Sequence, residues 1–410
     1  MLTREENELL CRVGPGTPMG EMLREYWIPA LRSEALEADG APVRVRLMGE
    51  NFVAFRATDG RVGFFDEGCP HRCTSLALAR NEDNALTCIF HGWKIDVSGK
   101  VVDVPSEPPE RRAEFAAKVR VGHYPVREAG TIVWVYLGKS EKLPQFPAFG
   151  WTHLPEGHVV SRMCSLNSNW FALLEGQLDS SHASILHRDG STIRARGTVR
   201  AGDMLFDTSP RIEFEMQPYG FREGAIRNTA DGQYYVRIRE FAVPWYAPVP
   251  SGNVHSNQTF TMAIPIDDEH ATHWDVRYNL DHPVTMPRTP DTEGYFTNQD
   301  NFIPDFGNPD NNFHQNRIRM REGSWSGFPT TRYEDFAAAV AQGIICDRTR
   351  EYLGSSDSSI IRARRLLLDA VARFQRGEPA FGLDKQIDWE HIRPQDAVIP
   401  KTMDWRSLPR

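Results

Sequence analysis

The sequence predicts an α+β protein with two domains, a small antiparallel β domain followed by a larger domain of strands and helices. Its 410 residues exceed what one hydrophobic core usually organises. Alternation of apolar and polar residues with period two marks short strands between residues 43 and 137. Helical periodicity marks residues 169–187 and 357–376. We therefore expect three parts. Residues 1–40 would form N-terminal helices that pack on the larger domain. Residues 41–145 would form the β domain, and residues 156–410 the larger domain.

The composition excludes several classes of protein. A net charge of −8 and a pI near 5.9 offer no basic footprint for nucleic acid. No apolar run approaches the roughly 20 residues of a membrane-spanning helix, and the charged residues 3–6 leave no signal-peptide core. Six cysteines make no disulfide framework in a chain this long. We expect a cytoplasmic protein that binds neither nucleic acid nor membrane.

Local signals justify the elements of the first part. Residues 3–6 (Thr-Arg-Glu-Glu) form a capping box that begins a short helix, and residues 17–18 (Thr-Pro) begin another. Residues 43–47 and 52–55 alternate like strands, and residues 59–60 (Asp-Gly) signal a turn. The cysteine–histidine pairs further along are therefore expected in loops between short strands.

The second part mixes helices, strands and one long connection. Residues 169–187 are expected to form one helix with an apolar stripe of Trp170, Leu173, Leu174 and Leu178. Residues 281–333 are rich in Pro, Asn, Asp and Gly, and a connection that long is usually a lid or a binding loop. Two strands and two more helices are predicted at 211–215, 234–238, 335–346 and 357–376.

The first metal-ligand pattern is Cys69-X-His71, sixteen residues, then Cys88-X2-His91. Two thiolates and two imidazoles can hold a structural zinc. They can also hold a [2Fe–2S] cluster with both cysteines on one iron and both histidines on the other. Each segment here supplies one Cys and one His, whereas zinc fingers usually pair Cys with Cys and His with His. That distribution suits a cluster seated between two loops.

The second pattern is Asp179-X2-His182-X4-His187. A polar stripe facing solvent is the simplest interpretation. Asp179 and His182 share a helix face, whereas His187 points away in a regular helix, so the helix must end or bulge between the two histidines if both bind one metal. Two histidines and a carboxylate on Fe(II) leave positions open for O₂ and substrate.

Together these motifs resemble a known family. Cys-Pro-His-Arg and Cys-X2-His-Gly-Trp resemble the Rieske ferredoxin signature, and with the second pattern the chain resembles the large (alpha) subunit of Rieske non-haem iron aromatic-ring-hydroxylating oxygenases. Residues 6–20 and 347–357 are similar to the phthalate dioxygenase-like group. The resemblance implies a small antiparallel Rieske domain and a catalytic domain with a curved antiparallel sheet of START-like, helix-grip type.

The resemblance also implies roles for individual residues. Cys69, His71, Cys88 and His91 would hold the [2Fe–2S] cluster. The ligands of the mononuclear Fe(II) would be His182, His187 and a downstream carboxylate, for which Asp335 is the first choice, Glu334 the nearest rival and Asp347 a structural residue. Asp179 would link the iron site to a cluster histidine of the next subunit, in a homotrimer or a dimer of trimers.

Substrate and electron supply complete the expectation. The chain has no Gly-X-Gly-X2-Gly run, so NADH electrons would arrive through a separate reductase. An aromatic carboxylate would react with O₂ by cis-dihydroxylation, or alternatively by monooxygenation or O-demethylation; a non-catalytic Rieske electron carrier is the remote alternative. Arginine suits a carboxylate. The expected contacts are Arg211 and Arg227, with Arg194, Arg196 and Ser180 as weaker candidates, and Trp325 and Phe328 as closing groups.

Overall fold

The computed structural model describes residues 1–189, 201–251, 255–284 and 308–410. Within them the predicted α+β arrangement is confirmed, because small antiparallel sheets are followed by larger sheets with helices. One large apolar core extends from the N-terminal helices through the first strands into the second part of the chain. A smaller, separate core underlies the loops that carry the two cysteine–histidine pairs.

Two short helices open the chain, α1 (Arg4–Cys11) and α2 (Pro18–Leu23). The capping box predicted at residues 3–6 is confirmed, since its two reciprocal hydrogen bonds are both present. Helix α1 contacts the second part directly, because the Trp170 indole donates to the Leu10 carbonyl at 3.2 Å. The first 40 residues, expected to supply helices, also supply strand β1.

Ten strands form three antiparallel sheets in the first part. Their orders are β1-β10-β9, β2-β3-β4 and β5-β6-β7-β8. The loops after β4 and β6 carry the two cysteine–histidine pairs. The strands are β1 (Trp27–Arg32), β2 (Val43–Leu47), β3 (Glu50–Arg56), β4 (Val62–Asp66), β5 (Arg80–Glu82), β6 (Ala85–Thr87), β7 (Lys94–Asp96), β8 (Val101–Asp103), β9 (Val126–Ala129) and β10 (Ile132–Tyr136).

Among the described residues of the second part, seven strands form two antiparallel sheets, in the orders β11-β16-β15 and β12-β13-β14-β17. Isolated bridges from Tyr246 to Ala242 and to Met262 join them into one surface. The strands are β11 (Val159–Leu166), β12 (Arg211–Gln217), β13 (Gly220–Asn228), β14 (Tyr234–Ala242), β15 (Gln258–Pro265), β16 (Ala271–Tyr278) and β17 (Gln395–Ile399). No helix in the described residues is long and apolar enough to cross a bilayer.

The remaining helices correct two expectations. The helix expected over 169–187 breaks before His182 rather than after it, because Asp179 is extended (φ −82°, ψ 122°). The helix expected over 335–346 begins earlier, capped by Thr330. The helices are α3 (Arg112–Lys118), α4 (Trp170–Leu178), α5 (His182–Ile185), α6 (Ala201–Phe206), α7 (Arg317–Arg321), α8 (Thr331–Ala341) and α9 (Ser358–Gln375).

Candidate metal centres

The two cysteine–histidine pairs lie in two tight loops. Each loop closes on its own cysteine, since Cys73 N donates to Cys69 O at 2.8 Å and Gly92 N donates to Cys88 O at 2.9 Å. Cys73 and Gly92 both have positive φ, 58° and 71°, the left-handed conformation that such turns require. The main-chain hydrogen bonds of the loops therefore fix the backbone position of each cysteine.

The expected cluster ligands converge between these loops. His71 Nδ1 lies 3.2 Å from His91 Nδ1, so both imidazoles present the same nitrogen to one point. Cys69 and Cys88 are only 2% and 3% exposed. Burial, with the neighbouring Cys88 thiol, raises the pKa of the Cys69 thiol to about 11. Paired buried thiols and paired imidazoles fit a [2Fe–2S] cluster, which would hold both sulfurs deprotonated.

A second group of ligand atoms meets between α5 and α8. One atom each from His182, His187 and Asp335 lies within 4.8 Å of the others. Asp335 Oδ1 is 3.7 Å from His182 Nε2 and 3.0 Å from His187 Nε2. The imidazole rings are nearly perpendicular, at 85°, with centroids 5.1 Å apart. Two imidazole nitrogens and one carboxylate on one side of a point are the donor set of non-haem Fe(II) sites.

A carboxylate holds the far nitrogen of each histidine. Asp179 Oδ2 lies 3.3 Å from His182 Nδ1, and Glu334 Oε2 lies 2.6 Å from His187 Nδ1. Glu334 also accepts a hydrogen bond from the Ser326 hydroxyl and is buried. Such outer carboxylates fix the tautomer and the ring orientation of metal-binding histidines. Glu334, the rival candidate for the third ligand, thus contacts the side of His187 opposite to Asp335.

The surroundings of this site lower the pKa values of Asp179 and Asp335 and raise that of His187. Burial opposes charge on His187, but hydrogen bonds with Asp335 and Glu334 outweigh it and raise its pKa to about 9. Burial also opposes ionisation of Asp179, but its interactions with His182 lower its pKa to about 2. A divalent cation would displace the proton from His187, because a metal-bound imidazole must be neutral. The site therefore already has the negative charge that a cation needs.

A cavity of about 280 Å³ opens onto these residues. Its lining includes apolar side chains, among them Leu173, Leu186 and Phe336, and four arginines, Arg237, Arg239, Arg277 and Arg332. Arg239 pairs with Glu223 at 2.9 Å. Arg277 and Arg332 both pair with Asp275. Arg237 is 9% exposed and donates to the Pro250 carbonyl at 3.3 Å. The cavity can thus receive a molecule that is part apolar and part anionic.

The arginines expected to contact substrate do not line this cavity. The Arg211 side chain is 61% exposed and pairs with Glu213. Arg227 is fully buried and donates to the Ser180 carbonyl at 2.7 Å, and Ser180 is likewise absent from the cavity wall. Arg211 lies in solvent because of its place on β12, and Arg227 is held by a main-chain carbonyl.

Other expected residues also lie elsewhere. Arg194 and Arg196 fall outside the described residues. Trp325 is 48% exposed and stacks under Arg188 at 4.9 Å, and neither Trp325 nor Phe328 lines the cavity. Asp347 is exposed and accepts hydrogen bonds from Thr349, in agreement with a structural role.

Two family models match the chain. The model described as Rieske [2Fe-2S] domain matches residues 26–125, and the model described as LigXa C-terminal domain like matches residues 135–410. The first range includes the two cysteine–histidine pairs, and the second includes His182, His187 and Asp335.

Several curated relatives match along nearly the whole chain. The phthalate 4,5-dioxygenase oxygenase subunit of Pseudomonas putida is 38% identical, over 99% of this chain and 94% of the relative. The 3-chlorobenzoate-3,4-dioxygenase oxygenase subunit of Comamonas testosteroni is 35% identical, over 99% and 98%. The 5,5'-dehydrodivanillate O-demethylase oxygenase subunit of a Sphingobium species is 33% identical, over 92% and 82%.

The architecture also occurs among solved structures. A variant of NdmA from Pseudomonas putida CBB5, solved with theobromine, superposes with a TM-score of 0.62 at 17% identity. The match covers 89% of this chain and 95% of that one. At this identity the likeness concerns the fold alone.

Proposed function

Since the chain belongs to the Rieske non-haem iron oxygenases, we propose that it hydroxylates an aromatic carboxylic acid, with cis-dihydroxylation as the favoured reaction. Members of this kind are oxygenase subunits that use a [2Fe–2S] cluster, a mononuclear iron and NADH-derived electrons from a separate reductase. The phthalate and chlorobenzoate relatives both act, by their names, on aromatic acids. The chemistry of the cavity supports the same class of substrate.

We assign His182, His187 and Asp335 to the mononuclear iron, and the cluster to the two cysteine–histidine pairs. When bound, the iron supplies the redox chemistry that activates O₂, while the cluster supplies electrons singly. The chain's own residues set up that chemistry. Glu334 and Asp179 hold the two histidines by their far nitrogens, so that both near nitrogens face Asp335.

The observation that carries the substrate class is Arg237. It is buried in the cavity wall, and in the described part of the chain no carboxylate forms an ion pair with it. The other three lining arginines each pair with Glu223 or Asp275. A buried guanidinium without a partner acid is costly, and a substrate carboxylate would offset that cost. Arginine also matches a carboxylate with two parallel hydrogen bonds.

The rest of the cavity suits the remainder of such a molecule. Leu173, Leu186 and Phe336 provide an apolar wall for an aromatic ring near the iron ligands. The cavity volume, about 280 Å³, lies at the lower end of ligand pockets. An acid that pairs with Arg237 would leave the ring to contact these apolar side chains.

O-demethylation or another monooxygenation of an aromatic acid is the second candidate. The relative that is 33% identical over 92% of this chain is an O-demethylase subunit. The same metal ligands and the same carboxylate anchor would serve both reactions. The position of the ring substituent relative to the iron would decide between them.

We further propose a homotrimer, or a dimer of trimers, in which Asp179 lies between the two centres of neighbouring subunits. Its carboxylate already contacts His182 and keeps 23% of its side chain exposed. The partner's His91 or the partner's His71 would approach that exposed side. Light scattering on the purified protein measures the mass directly, and a monomer would overturn this arrangement.

The substrate class is tested with the cluster- and iron-loaded protein, a reductase and NADH. Benzoates that carry carboxyl, chloro or methoxy substituents are incubated under ¹⁸O₂, and the products are analysed by mass spectrometry. A cis-diol with both atoms of ¹⁸O₂ supports dihydroxylation, whereas a phenol with formaldehyde supports demethylation. If none of these acids couples NADH oxidation to product, while uncharged aromatic compounds do, the proposed substrate class is wrong.

A further inference from the structure

The end of helix α4 is held by an arginine from the sheet. The last carbonyls of a helix lack partners within the helix. Here Arg239 Nη1 donates to Gln177 O at 2.7 Å, and Arg239 Nη2 donates to Leu178 O at 2.5 Å. Arg239 Nη2 also contacts Glu223 at 2.9 Å, which balances its charge. A cation at this end of a helix also interacts favourably with the helix dipole.

A second arginine holds the turn that follows. Arg227 Nη2 donates to Ser180 O at 2.7 Å and to Ser184 Oγ at 3.1 Å. These two groups flank His182 along the chain. Arg227 is fully buried, and no carboxylate forms an ion pair with it among the residues that the structure describes. Burial, with the nearby Arg237, lowers the pKa of Arg227 to about 10.

The turn between these contacts supplies both members of the Asp179–His182 pair. Asp179 Oδ1 accepts from Ser181 N at 2.7 Å, and Asp179 Oδ2 accepts from His182 N at 3.2 Å. The carboxylate therefore binds two amides at the start of α5 and contacts the His182 imidazole at the same time. Its position depends on the main chain from Leu178 to Ser180, and Arg239 and Arg227 donate to the carbonyls at the two ends of that segment.

We propose that Arg227 and Arg239 are positioning residues, an arginine clamp that fixes the Asp179–His182 pair for the mononuclear iron. The two arginines of the clamp lie on neighbouring strands, β13 and β14. The sheet, rather than the flanking helices, therefore fixes the position of the turn. This inference rests on the assignment of His182 to the iron. It does not depend on which aromatic compound is the substrate.

The free-energy cost of burying these two arginines supports a positioning role. Two buried guanidinium groups are expensive to maintain, and apolar residues of similar size often stabilise a core more. The donors of Arg239 that have partners are used on two carbonyls and Glu223, so these contacts hold the turn to the sheet. We therefore expect loss of either arginine to weaken iron binding while the protein still folds.

The test compares Arg239→Met and Arg227→Met with Arg222→Met in the full-length protein. Arg222 is the matched control, since it is buried at 1% on the opposite face of β13 and faces Glu240 and Glu215. The readouts are the Fe(II) affinity of the mononuclear site, the electron paramagnetic resonance signal of its ferrous–nitric oxide adduct, and the visible spectrum of the cluster. Displacing an outer partner of a metal ligand typically weakens metal binding by about 10- to 100-fold.

We expect both clamp variants to show that loss and an altered nitric oxide signal, with an unchanged cluster spectrum. Arg222→Met should lose thermal stability and keep wild-type affinity and signal. Arg239→Lys keeps the charge but not the planar pair of donors, so its Fe(II) affinity should lie between those of wild type and Arg239→Met. It replaces Arg239→Met in the test if that variant does not fold. Wild-type affinity and signal in Arg239→Lys and Arg227→Met would overturn the clamp. A wild-type protein without any nitric oxide signal would instead refute the iron assignment.

Discussion

Replacing Arg237 with glutamine tests the proposed carboxylate anchor. Glutamine keeps a hydrogen-bond donor but removes the charge that is buried in the cavity wall. A hydrogen bond to a charged group contributes about 1.5–3 kcal/mol. At about 1.4 kcal/mol for each factor of ten, its loss should lower kcat/KM for an aromatic acid by about 10- to 150-fold. The corresponding amide of the same acid should change by less than about threefold, because it never used the charge.

The assay measures product formation from the acid and from its amide, with reductase and NADH in excess. Arg211→Gln is the control, because the Arg211 side chain is 61% exposed and should leave both substrates unaffected. An equal fall for acid and amide in Arg237→Gln would refute the anchor and indicate general damage to the cavity. An unchanged kcat/KM for the acid would place the carboxylate elsewhere.

Three further predictions concern the iron site, acid stability and packing. Glu334→Gln should weaken iron binding by about 10- to 100-fold, because the amide holds His187 less firmly; chelator competition measures it. Burial lowers the pKa of His273 to about 3, so only the unfolded chain gains this proton between pH 6.5 and 3, and stability should fall there by up to about 1.4 kcal/mol per pH unit as the pH drops. Urea unfolding at several pH values measures this, and the free energy of unfolding should change less steeply with pH in His273→Gln than in wild type. Gly224→Ala should cost about 1–3 kcal/mol, since its Cβ would lie 2.7 Å from the Trp405 ring; thermal unfolding measures the loss.

Each of these has a contrary outcome. If Glu334→Gln bound iron as tightly as wild type in chelator competition, the Glu334 carboxylate would not contribute to the iron site. Equal pH slopes in wild type and His273→Gln would mean that this imidazole does not govern acid stability. Gly176→Ala is the control for the glycine, because nothing lies within 4 Å of its added Cβ and it should be neutral or stabilising. Equal destabilisation by both alanines would refute the packing argument.

The features that depend on local chemistry could be predicted from the sequence. Capping signals, period-two strands and the apolar stripe of α4 each follow from neighbours in the chain. The spacing of Cys69, His71, Cys88 and His91 likewise predicted two facing loops. These elements are determined by residues within a few positions of one another, so a single sequence contains the information.

The helix break was misplaced because two signals compete. The apolar stripe before Leu178 and the histidines after it suggested one continuous helix. Asp179 followed by Ser180 and Ser181 is also a signal for the start of a new helix, and the carboxylate accepts hydrogen bonds from the main-chain amides of Ser181 and His182. The signal for a new helix outweighs continuity here, and two buried arginines hold the break from outside the segment.

Arg237, the proposed carboxylate anchor, was not predicted from the sequence because its strand resembles a half-exposed one. In β14 the arginines at 237 and 239 alternate with Val236 and Ile238, and such alternation usually means that the charged face meets solvent. Here that face lines an internal cavity, and the opposite face packs on Trp405. Which face of a sheet is covered depends on distant helices, so local periodicity could not decide it.

The central claim is that one chain holds a mononuclear iron on His182, His187 and Asp335 beside a separate iron–sulfur cluster. The most direct measurement is the iron-to-chain ratio of wild type and Asp335→Ala, with the visible spectrum of the cluster recorded for both. Wild type should contain about three irons, two in the cluster and one mononuclear. The variant should contain about two, with an unchanged cluster spectrum. A variant that retained all three irons and wild-type turnover would contradict the claim.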